Sequence, residues 1–214
     1  LPGTPALIAA GAPLTTLTDA DRLTSLIMWR PPGCGKTTLA RLIANHTEKE
    51  FITLSAVSAS VKDVRFVIEE AQRRLGERSI GTILFLDEVH RFNKAQQDAL
   101  LPSVEDGLLV LIGATTENPY FEVNAPLLSR SNLFRLNELT DTAIKELLLR
   151  GATHEEAAIS SEAMEHLVQR ADGDARRALT ALEVAVVLAG GKGANVELRH
   201  AEHCLLYTSP SPRD

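Results

Sequence analysis

A short stretch rich in glycine and proline, from Pro31 to Thr38, constrains the fold of this chain more than any other sequence feature. It reads PPGCGKTT and lies between an apolar run, Leu26–Trp29, and a segment with helical character from Lys36 to about His46. Glycines let the backbone turn so that successive N–H groups point at phosphate oxygens, and a helix N-terminus adds partial positive charge. The sequence therefore predicts a strand, a Walker A phosphate loop and a helix, in that order.

The residues of this loop have separate predicted roles. We expect Lys36 to reach the β- and γ-phosphates of ATP and the Thr37 hydroxyl to ligate Mg²⁺, so the predicted cofactors are ATP and Mg²⁺. The alternative, a turn with an incidental lysine, leaves the later elements of the chain unexplained. The predicted nucleotide-binding residues are Pro32, Gly33, Cys34, Gly35, Lys36, Thr37, Thr38 and, further along the chain, Asp87.

One position departs from the pattern GxxxxGKT, because Arg30 stands where the first glycine is expected. If that position requires a left-handed backbone, arginine costs about 1–2 kcal/mol there. Its charge attracts phosphate, whereas its volume opposes closure of the loop. A single base change converts glycine to arginine, so a sequence error is a further explanation. A catalytically impaired nucleotide-binding or interaction module therefore stays open as an alternative.

A second signal is the apolar run Ile83–Leu86, which ends in the two carboxylates Asp87 and Glu88. Parallel sheets carry their ligand residues at the carboxyl ends of strands. We expect Asp87 to lie near Mg²⁺ and Glu88 to act as the general base on the attacking water. A strand followed by a polar turn is the alternative. His90 is interpreted as structural, with no catalytic role.

Apolar runs without polar alternation continue to alternate with helical segments as far as Leu136, which indicates a parallel sheet covered on both faces. We predict an α/β P-loop NTPase fold, a three-layer sandwich with a five-stranded parallel sheet. The predicted strands are Leu26–Trp29, Phe51–Leu54, Thr82–Leu86, Leu108–Ala114 and Leu133–Leu136. The predicted helices between them include Val61–Leu75, ended by Gly76, and Lys94–Leu101, capped by Asn93 with Gln96.

After Leu136 the pattern becomes helical, and helices are predicted to begin at Thr140, Ser161 and Asp174. We divide the chain into an α/β core over residues 1–137, a small all-helical lid over 138–203 and a non-native tail over 204–214. The tail resembles a translated sequencing-library adapter and is left out of the fold prediction, with a genuine disordered tail as the alternative. Because the chain also starts at Leu1 rather than at methionine, we expect native sequence to be missing at both ends.

Apolar runs, cysteine number and net charge limit the location of the protein and the partners that it can bind. The chain has no apolar run of membrane length and only two cysteines, which predicts no membrane partner and a reducing, cytoplasmic location. The net charge is -6, so any DNA-binding surface must be a local basic patch.

Three longer stretches carry a resemblance to one family. They are LFLDEVHRFNKAQQDALL (Leu84–Leu101), LVLIGATTENPYFEVNAPLLSR (Leu109–Arg130) and ADGDARRAL (Ala171–Leu179). Together they resemble the AAA+ ATPases of the replication-associated recombination protein A family, whose eukaryotic members interact with the Werner helicase. The resemblance covers roughly residues 14–203.

This resemblance implies further site residues. Thr116 resembles sensor 1, with Thr115 as the near alternative, and its hydroxyl is expected to bind the attacking water or the γ-phosphate. Arg130 resembles an arginine finger that serves a neighbouring subunit. Ser131 replaces the cysteine that usually follows the finger. Arg176 resembles sensor 2, an arginine that reaches from the lid to the nucleotide.

The implied function is an ATPase that acts on single-stranded or forked DNA in replication-fork maintenance, recombination and repair. The implied partners are DNA, replication and repair proteins, and further copies of the intact parent, because a finger that acts in trans requires an oligomer. The implied location is the nucleoid, or the nucleus if the source is eukaryotic. The alternatives within the same class are a clamp-loader subunit and a Holliday-junction motor.

Overall fold

The computed structural model describes residues 23–30, 33 and 35–208, and for residues 205–208 it describes the backbone alone. Contacts within this part of the chain separate two compact units, one that ends at Asn137 and one that begins at Glu138. None of the helices described has the length and apolar character that a membrane span requires.

The first unit is built on a parallel sheet. Its strands are β1 (Leu26–Trp29), β2 (Glu50–Ser55), β3 (Thr82–Asp87), β4 (Leu109–Thr115) and β5 (Asn132–Arg135). Its helices are α1 (Lys36–Ala44), α2 (Val61–Arg78), α3 (Lys94–Glu105), α4 (Pro119–Glu122) and α5 (Ala125–Ser129), with a 3₁₀ turn at Val89–Arg91. The strand order is β2-β3-β4-β1-β5 and every neighbouring pair is parallel. The predicted five-stranded parallel sheet is confirmed.

Alternate residues of the strands face opposite sides of the sheet, and helices cover both sides. The strand residues that pack with α2 and α3 are Ile27, Leu84, Leu86, Leu109 and Leu111. Those that pack with α1 are Leu26, Met28, Ile83, Phe85, Ile112 and Ala114. Full burial of one large apolar side chain contributes about 1.5–3 kcal/mol, so both layers stabilise the sheet. The predicted three-layer sandwich is therefore confirmed as well.

Helices α2 and α3 both begin at a capping box. At α2, the Ser60 N–H donates to the Asp63 carboxylate at 2.7 Å, and the Asp63 N–H donates to the Ser60 hydroxyl oxygen at 3.4 Å. The hydrogen bonds from the backbone and hydroxyl of Ser60 lower the pKa of Asp63. At α3, the box predicted from Asn93 and Gln96 is confirmed.

Gly76 does not end α2, so that prediction was wrong. The helix continues to Arg78, and its C-cap is Ser79, whose backbone is left-handed with φ 56°. Arg73 forms ion pairs with Glu70 and Glu77, each at 2.7 Å, and such pairs three and four residues apart support a helix. These contacts carry the helix across an exposed glycine.

The second unit packs four helices around its own core. They are α6 (Asp141–His154), α7 (Ser161–Ala171), α8 (Ala175–Leu188) and α9 (Leu198–Thr208). The side chains of Thr140, Ser160 and Asp174 each accept a hydrogen bond from a backbone N–H in the first turn of α6, α7 and α8. The unit also contains a parallel pair of two-residue strands, β6 (Ala158–Ile159) and β7 (Asn195–Val196), which the sequence analysis does not predict.

Helix α9 runs into the segment that resembles an adapter. The Cys204 side chain is fully buried in the helical core, and burial raises the pKa of its thiol. Ala201, one helical turn earlier, is also fully buried. The helix therefore includes residues 204–208, the first part of the predicted non-native tail. Residues 209–214 of the predicted tail lie outside the described residues.

Candidate active site

Three strands of the first unit deliver the predicted site residues to one edge of the sheet. Strand β1 leads into the phosphate loop, β3 ends at Asp87, and β4 ends at Thr115. Trp29 is in register with Thr115, and the Arg30 N–H donates to the Thr115 carbonyl oxygen at 3.0 Å. The carboxyl edge of an open parallel sheet is where such folds bind ligands.

The backbone of the phosphate loop has the conformation that its glycines permit. Gly33 and Gly35 have φ values of 78° and 82°, a left-handed region that strains residues with a Cβ. Gly35 caps α1 without any side-chain hydrogen bond, and the first turn of α1 holds no acidic residue. The helix N-terminus thus presents backbone N–H groups suited to an anion. Pro32 and Cys34 lie outside the described residues.

Lys36 is buried at the start of α1, and its Nζ donates to the Arg30 carbonyl oxygen at 2.8 Å. This contact places the Lys36 ammonium group beside the residue that precedes the predicted phosphate loop. The next residue, Thr37, is half-buried, whereas Thr38 is exposed. The structure therefore separates the two hydroxyls that the sequence groups together.

The predicted metal ligands, Asp87 and Thr37, are one carboxylate and one hydroxyl, a set that would suit Mg²⁺ better than a metal with an all-protein site. Over the described part of the chain, no group of three His, Cys, Asp or Glu side chains is placed to hold a metal ion. Mg²⁺ typically keeps several waters and binds one or two carboxylates together with substrate phosphates.

Arginine in place of glycine would be strained at position 30 only if the backbone there were left-handed. The backbone of Arg30 is not left-handed. The non-glycine residues described with positive φ are Ser79, Glu88, Glu156 and Asp172. The backbone cost considered for arginine therefore does not arise at this position. The effect of its volume on a bound phosphate is a question for experiment.

Glu88 has an unusual backbone in a turn that directs its side chain. Its φ and ψ are 54° and 48°, and its N–H donates to the Asp87 carboxylate at 3.1 Å. Sparsely populated conformations of this kind cost about 1–3 kcal/mol and cluster at functional sites. The Glu88 carboxylate accepts a hydrogen bond from the Thr116 hydroxyl at 3.3 Å. The structure thus brings together Glu88 and the residue that resembles sensor 1.

His90 and Thr115 complete this cluster. His90 Nδ1 lies 3.2 Å from Glu88 Oε2 and 3.1 Å from Thr115 Oγ1. Thr115 is fully buried, and its hydroxyl accepts from the Glu117 N–H at 3.0 Å and donates to the Glu117 carbonyl oxygen at 3.3 Å. Of the two adjacent threonines, Thr116 contacts Glu88 whereas Thr115 contacts His90.

Arg130 lies away from this cluster. Its guanidinium forms an ion pair with Glu105 at 2.6 Å and donates to the Pro126 carbonyl oxygen at 3.0 Å. Arg130 and Glu105 line a cavity of about 570 Å³ with residues that precede β1 and begin β4, such as Ser25 and Leu109. These residues belong to the amino ends of the strands, so Arg130 is at the sheet edge opposite the phosphate loop.

Arg176 belongs to the second unit. It is exposed in the first turn of α8, beyond the cap formed by the Asp174 side chain and the Arg177 N–H at 2.9 Å. Gly173, with φ 71°, lets the chain turn between α7 and α8, and a Cβ there would lie 2.8 Å from the Glu138 Cβ. The local structure thus fixes the start of the helix that carries Arg176.

Comparison with known proteins identifies the family. Residues 26–140, more than half of the chain, match the family described as "ATPase family associated with various cellular activities (AAA)". The chain belongs to the AAA family. The match runs from β1 to just beyond β5, so it spans the whole sheet and the site at its carboxyl edge.

Curated relatives of this AAA chain also carry the name expected from the sequence. The chain is 46% identical over 187 residues to replication-associated recombination protein A of Escherichia coli K12, covering 83% of this chain and 41% of that protein. It is 48% identical over 203 residues to an uncharacterized AAA domain-containing protein of Mycobacterium tuberculosis, covering 92% of this chain and 44% of that protein. The predicted resemblance is confirmed, and the chain spans less than half the length of these relatives.

Solved structures support the same AAA fold. Thermotoga maritima RuvB, described as a Holliday junction branch migration motor, matches with a TM-score of 0.72 at 24% identity. The match covers 91% of this chain and 65% of that one. At this identity the likeness bears on the fold alone.

The contact that His90 makes in this AAA chain was not predicted. A single histidine after a strand is usually structural, and nothing in the local sequence shows that the end of β4 lies beside it. The sequence does show polar residues at the ends of two strands, Asp87–His90 and Thr115–Thr116. A parallel sheet places such strand ends at one edge, and this was the signal that could have indicated the contact.

Proposed function

We propose that this AAA chain binds ATP with Mg²⁺ and hydrolyses it, as the ATPase part of a longer protein that acts on DNA. The observation that carries the proposal is the meeting of three strand ends at one sheet edge. The phosphate loop follows β1, Asp87 ends β3 with Glu88 directly after it, and Thr116 follows β4.

Binding rests on the residues of the loop. The left-handed Gly33 and Gly35 and the uncapped N-terminus of α1 supply backbone N–H groups for the phosphates. Lys36, beside the residue that precedes the loop, adds a positive charge toward the β- and γ-phosphates. Thr37 and Asp87 are the residues proposed to hold Mg²⁺, directly or through water.

Hydrolysis rests on Glu88 as the general base that accepts the proton of the attacking water. The Thr116 hydroxyl donates to Glu88, which supports a role for Thr116 in orienting the same water or the γ-phosphate. Bound Mg²⁺ supplies neutralisation of the charge that develops on the phosphates.

Two arginines complete the proposed site from elsewhere. Arg130 is exposed and remote from the phosphate loop of its own chain, which suits a finger that serves the nucleotide of a neighbouring copy. Arg176 is exposed at the start of α8, which suits a sensor 2 arginine of the lid. The intact parent is accordingly proposed to form homo-oligomers.

The DNA-related role rests on the relatives. Replication-associated recombination protein A, by its name, works in replication and recombination, so we propose single-stranded or forked DNA as the substrate and replication and repair proteins as partners. The proposed location is the cytoplasm, at the nucleoid, or the nucleus in a eukaryote. The branch migration motor alternative has the support of fold likeness alone.

The first experiment measures the affinity for ATP with Mg²⁺ by titration calorimetry. The variants are the chain itself, Arg30→Gly and Lys36→Ala, with Arg41→Ala as a matched control because Arg41 is an exposed cation on the same helix. Loss of Lys36 is expected to weaken binding by about tenfold or more, since hydrogen bonds between charged groups contribute about 1.5–3 kcal/mol. Arg41→Ala is expected to bind like the parent chain.

Each outcome has a clear meaning. Similar binding by the chain and by Arg30→Gly means that the phosphate loop works with arginine in place. Binding by Arg30→Gly alone supports the impaired module instead. Absence of binding in both, with folded protein, refutes the proposed function. For the DNA-related part, ATP turnover of the full-length parent that no single-stranded or forked DNA stimulates would refute the proposal.

A further inference from the structure

His90 occupies a position that the proposed mechanism does not use. Its side chain is only 9% exposed, against 31% for Glu88, and its Nδ1 lies between two oxygens, Glu88 Oε2 at 3.2 Å and Thr115 Oγ1 at 3.1 Å. The imidazole therefore bridges the end of β3 to the end of β4. No other histidine within the described residues approaches Glu88 in this way.

The hydrogen-bond inventory assigns the proton at this nitrogen. An ionised carboxylate is an acceptor only. The Thr115 hydroxyl accepts from the Glu117 N–H, and its single hydrogen can turn to the Glu117 carbonyl oxygen at 3.3 Å or to Nδ1 at 3.1 Å. The Glu88 carboxylate 3.2 Å from Nδ1 favours a hydrogen on that nitrogen, which leaves the Thr115 hydrogen for the Glu117 carbonyl oxygen.

Glu88 needs a second contact to be held in place. The hydrogen bond from Thr116 is long at 3.3 Å, and a glutamate side chain has several rotatable bonds. The backbone that carries His90 is held by the 3₁₀ turn, in which the Arg91 N–H donates to the Glu88 carbonyl oxygen at 2.8 Å. Thr115 in turn is anchored by the Glu117 backbone.

We infer that His90 is a positioning residue for Glu88, holding the carboxylate through a protonated Nδ1 that it shares with Thr115. The inference rests on the proposed function, in which Glu88 is the general base. Catalytic groups must be held close to their productive geometry, and a misplacement of about 1 Å costs about a hundredfold in rate. His90 acts through Glu88 and need not touch the nucleotide.

The first test is independent of turnover. Nitrogen-15 NMR of histidine-labelled protein reports which ring nitrogen carries hydrogen, and the His90 signals are assigned by their loss in His90→Asn. We expect a protonated Nδ1 whose shift changes in Glu88→Gln and in Thr115→Val, whereas the signals of the exposed His46 stay unchanged. An unprotonated Nδ1, insensitive to both substitutions, overturns the inference.

The second test separates positioning from a merely structural role. His90→Leu is expected to lower kcat by about tenfold to a hundredfold while KM and ATP affinity stay unchanged. Asparagine places an amide N–H near the position of Nδ1, so His90→Asn is expected to recover most of the lost kcat. In a Glu88→Gln background, His90→Leu is expected to have no further effect on the residual rate.

Failure of the inference and failure of the proposed function give different results. If the unsubstituted chain binds no ATP and shows no turnover, the proposed function fails. The NMR measurement then still decides whether Nδ1 holds Glu88. If the parent turns over ATP and His90→Leu leaves kcat unchanged, the proposed function stands and the inference is overturned. His46→Leu controls for the loss of an exposed imidazole from the same unit.

Discussion

Glu88 combines a left-handed backbone with a carboxylate that contacts both Thr116 and His90. We expect Glu88→Gln to lower ATP turnover by about 10²–10⁴-fold, because glutamine keeps the shape of the side chain and cannot accept the proton of water. ATP affinity is expected to persist. Single-turnover phosphate release and a binding titration measure the two effects separately.

The matched control for this residue is Glu69→Gln, which removes one carboxylate from the exposed face of α2 in the same unit. It is expected to leave both turnover and affinity unchanged. Turnover by Glu88→Gln at the rate of the parent would assign the general base to another group.

Residue roles were predictable from sequence to different degrees. Lys36 and Asp87 each belong to a short motif at the end of a strand, and such a motif can be recognised from local sequence. The structure places both residues at one edge of the sheet. Thr116 was predicted as sensor 1 with Thr115 as the near alternative, because local sequence does not distinguish two adjacent threonines. The contacts, with His90 for one and with Glu88 for the other, depend on how β3 and β4 lie side by side.

At the scale of elements, α2 gives a test of backbone propensity. Gly76 lies in the interior of this helix, is exposed, and has no atom within 4 Å of the position that a Cβ would take. Gly76→Ala is therefore expected to raise the free energy of unfolding by about 0.5–1 kcal/mol. Chemical denaturation followed by circular dichroism measures the change.

Gly107 is the matched control for this element, because its surroundings are equally open while its φ is 72°. Gly107→Ala is expected to lower the free energy of unfolding. Alanine is strained at positive φ, and this strain in the folded state outweighs the benefit of reduced conformational entropy in the unfolded chain. A stabilising effect at Gly107, or a destabilising one at Gly76, would contradict the helix boundaries described for α2 and for the turn after α3.

At the scale of the whole molecule, Arg130 predicts cooperation between copies. In the full-length parent, Arg130→Ala and Glu88→Gln are each expected to lose ATP turnover, because one lacks the finger and the other lacks the base. When the two variants are mixed, some interfaces combine an intact Arg130 with an intact Glu88. Turnover is therefore expected to rise above that of either variant alone, as measured by phosphate release.

The contact between Arg130 and Glu105 provides a control for this experiment. Glu105→Gln removes the ion pair at 2.6 Å and leaves the finger itself in place, so it is expected to reduce turnover far less than Arg130→Ala. Exposed ion pairs contribute little to stability, about 0–1 kcal/mol. A mixture without any recovery would mean that Arg130 serves its own chain or has no part in catalysis.

The sequence by itself determined the parts of this protein that depend on local chemistry. Apolar runs predicted the strands, and the glycines of the loop predicted a turn that few other residues adopt. The Asn93 cap predicted the start of α3, because such hydrogen bonds involve residues close in the chain, and the starts predicted at Thr140 and Asp174 coincide with the caps of α6 and α8. The family resemblance followed from longer stretches of the same local kind.

Only the tertiary structure decided the contacts that join distant segments. The order β2-β3-β4-β1-β5 brings the ends of β3 and β4 together, which gives His90 a partner on each strand. Packing also decided the burial of Cys204 in the helical core. The free energy that decides such contacts comes from burial and hydrogen bonding between residues far apart in sequence, which no local pattern contains.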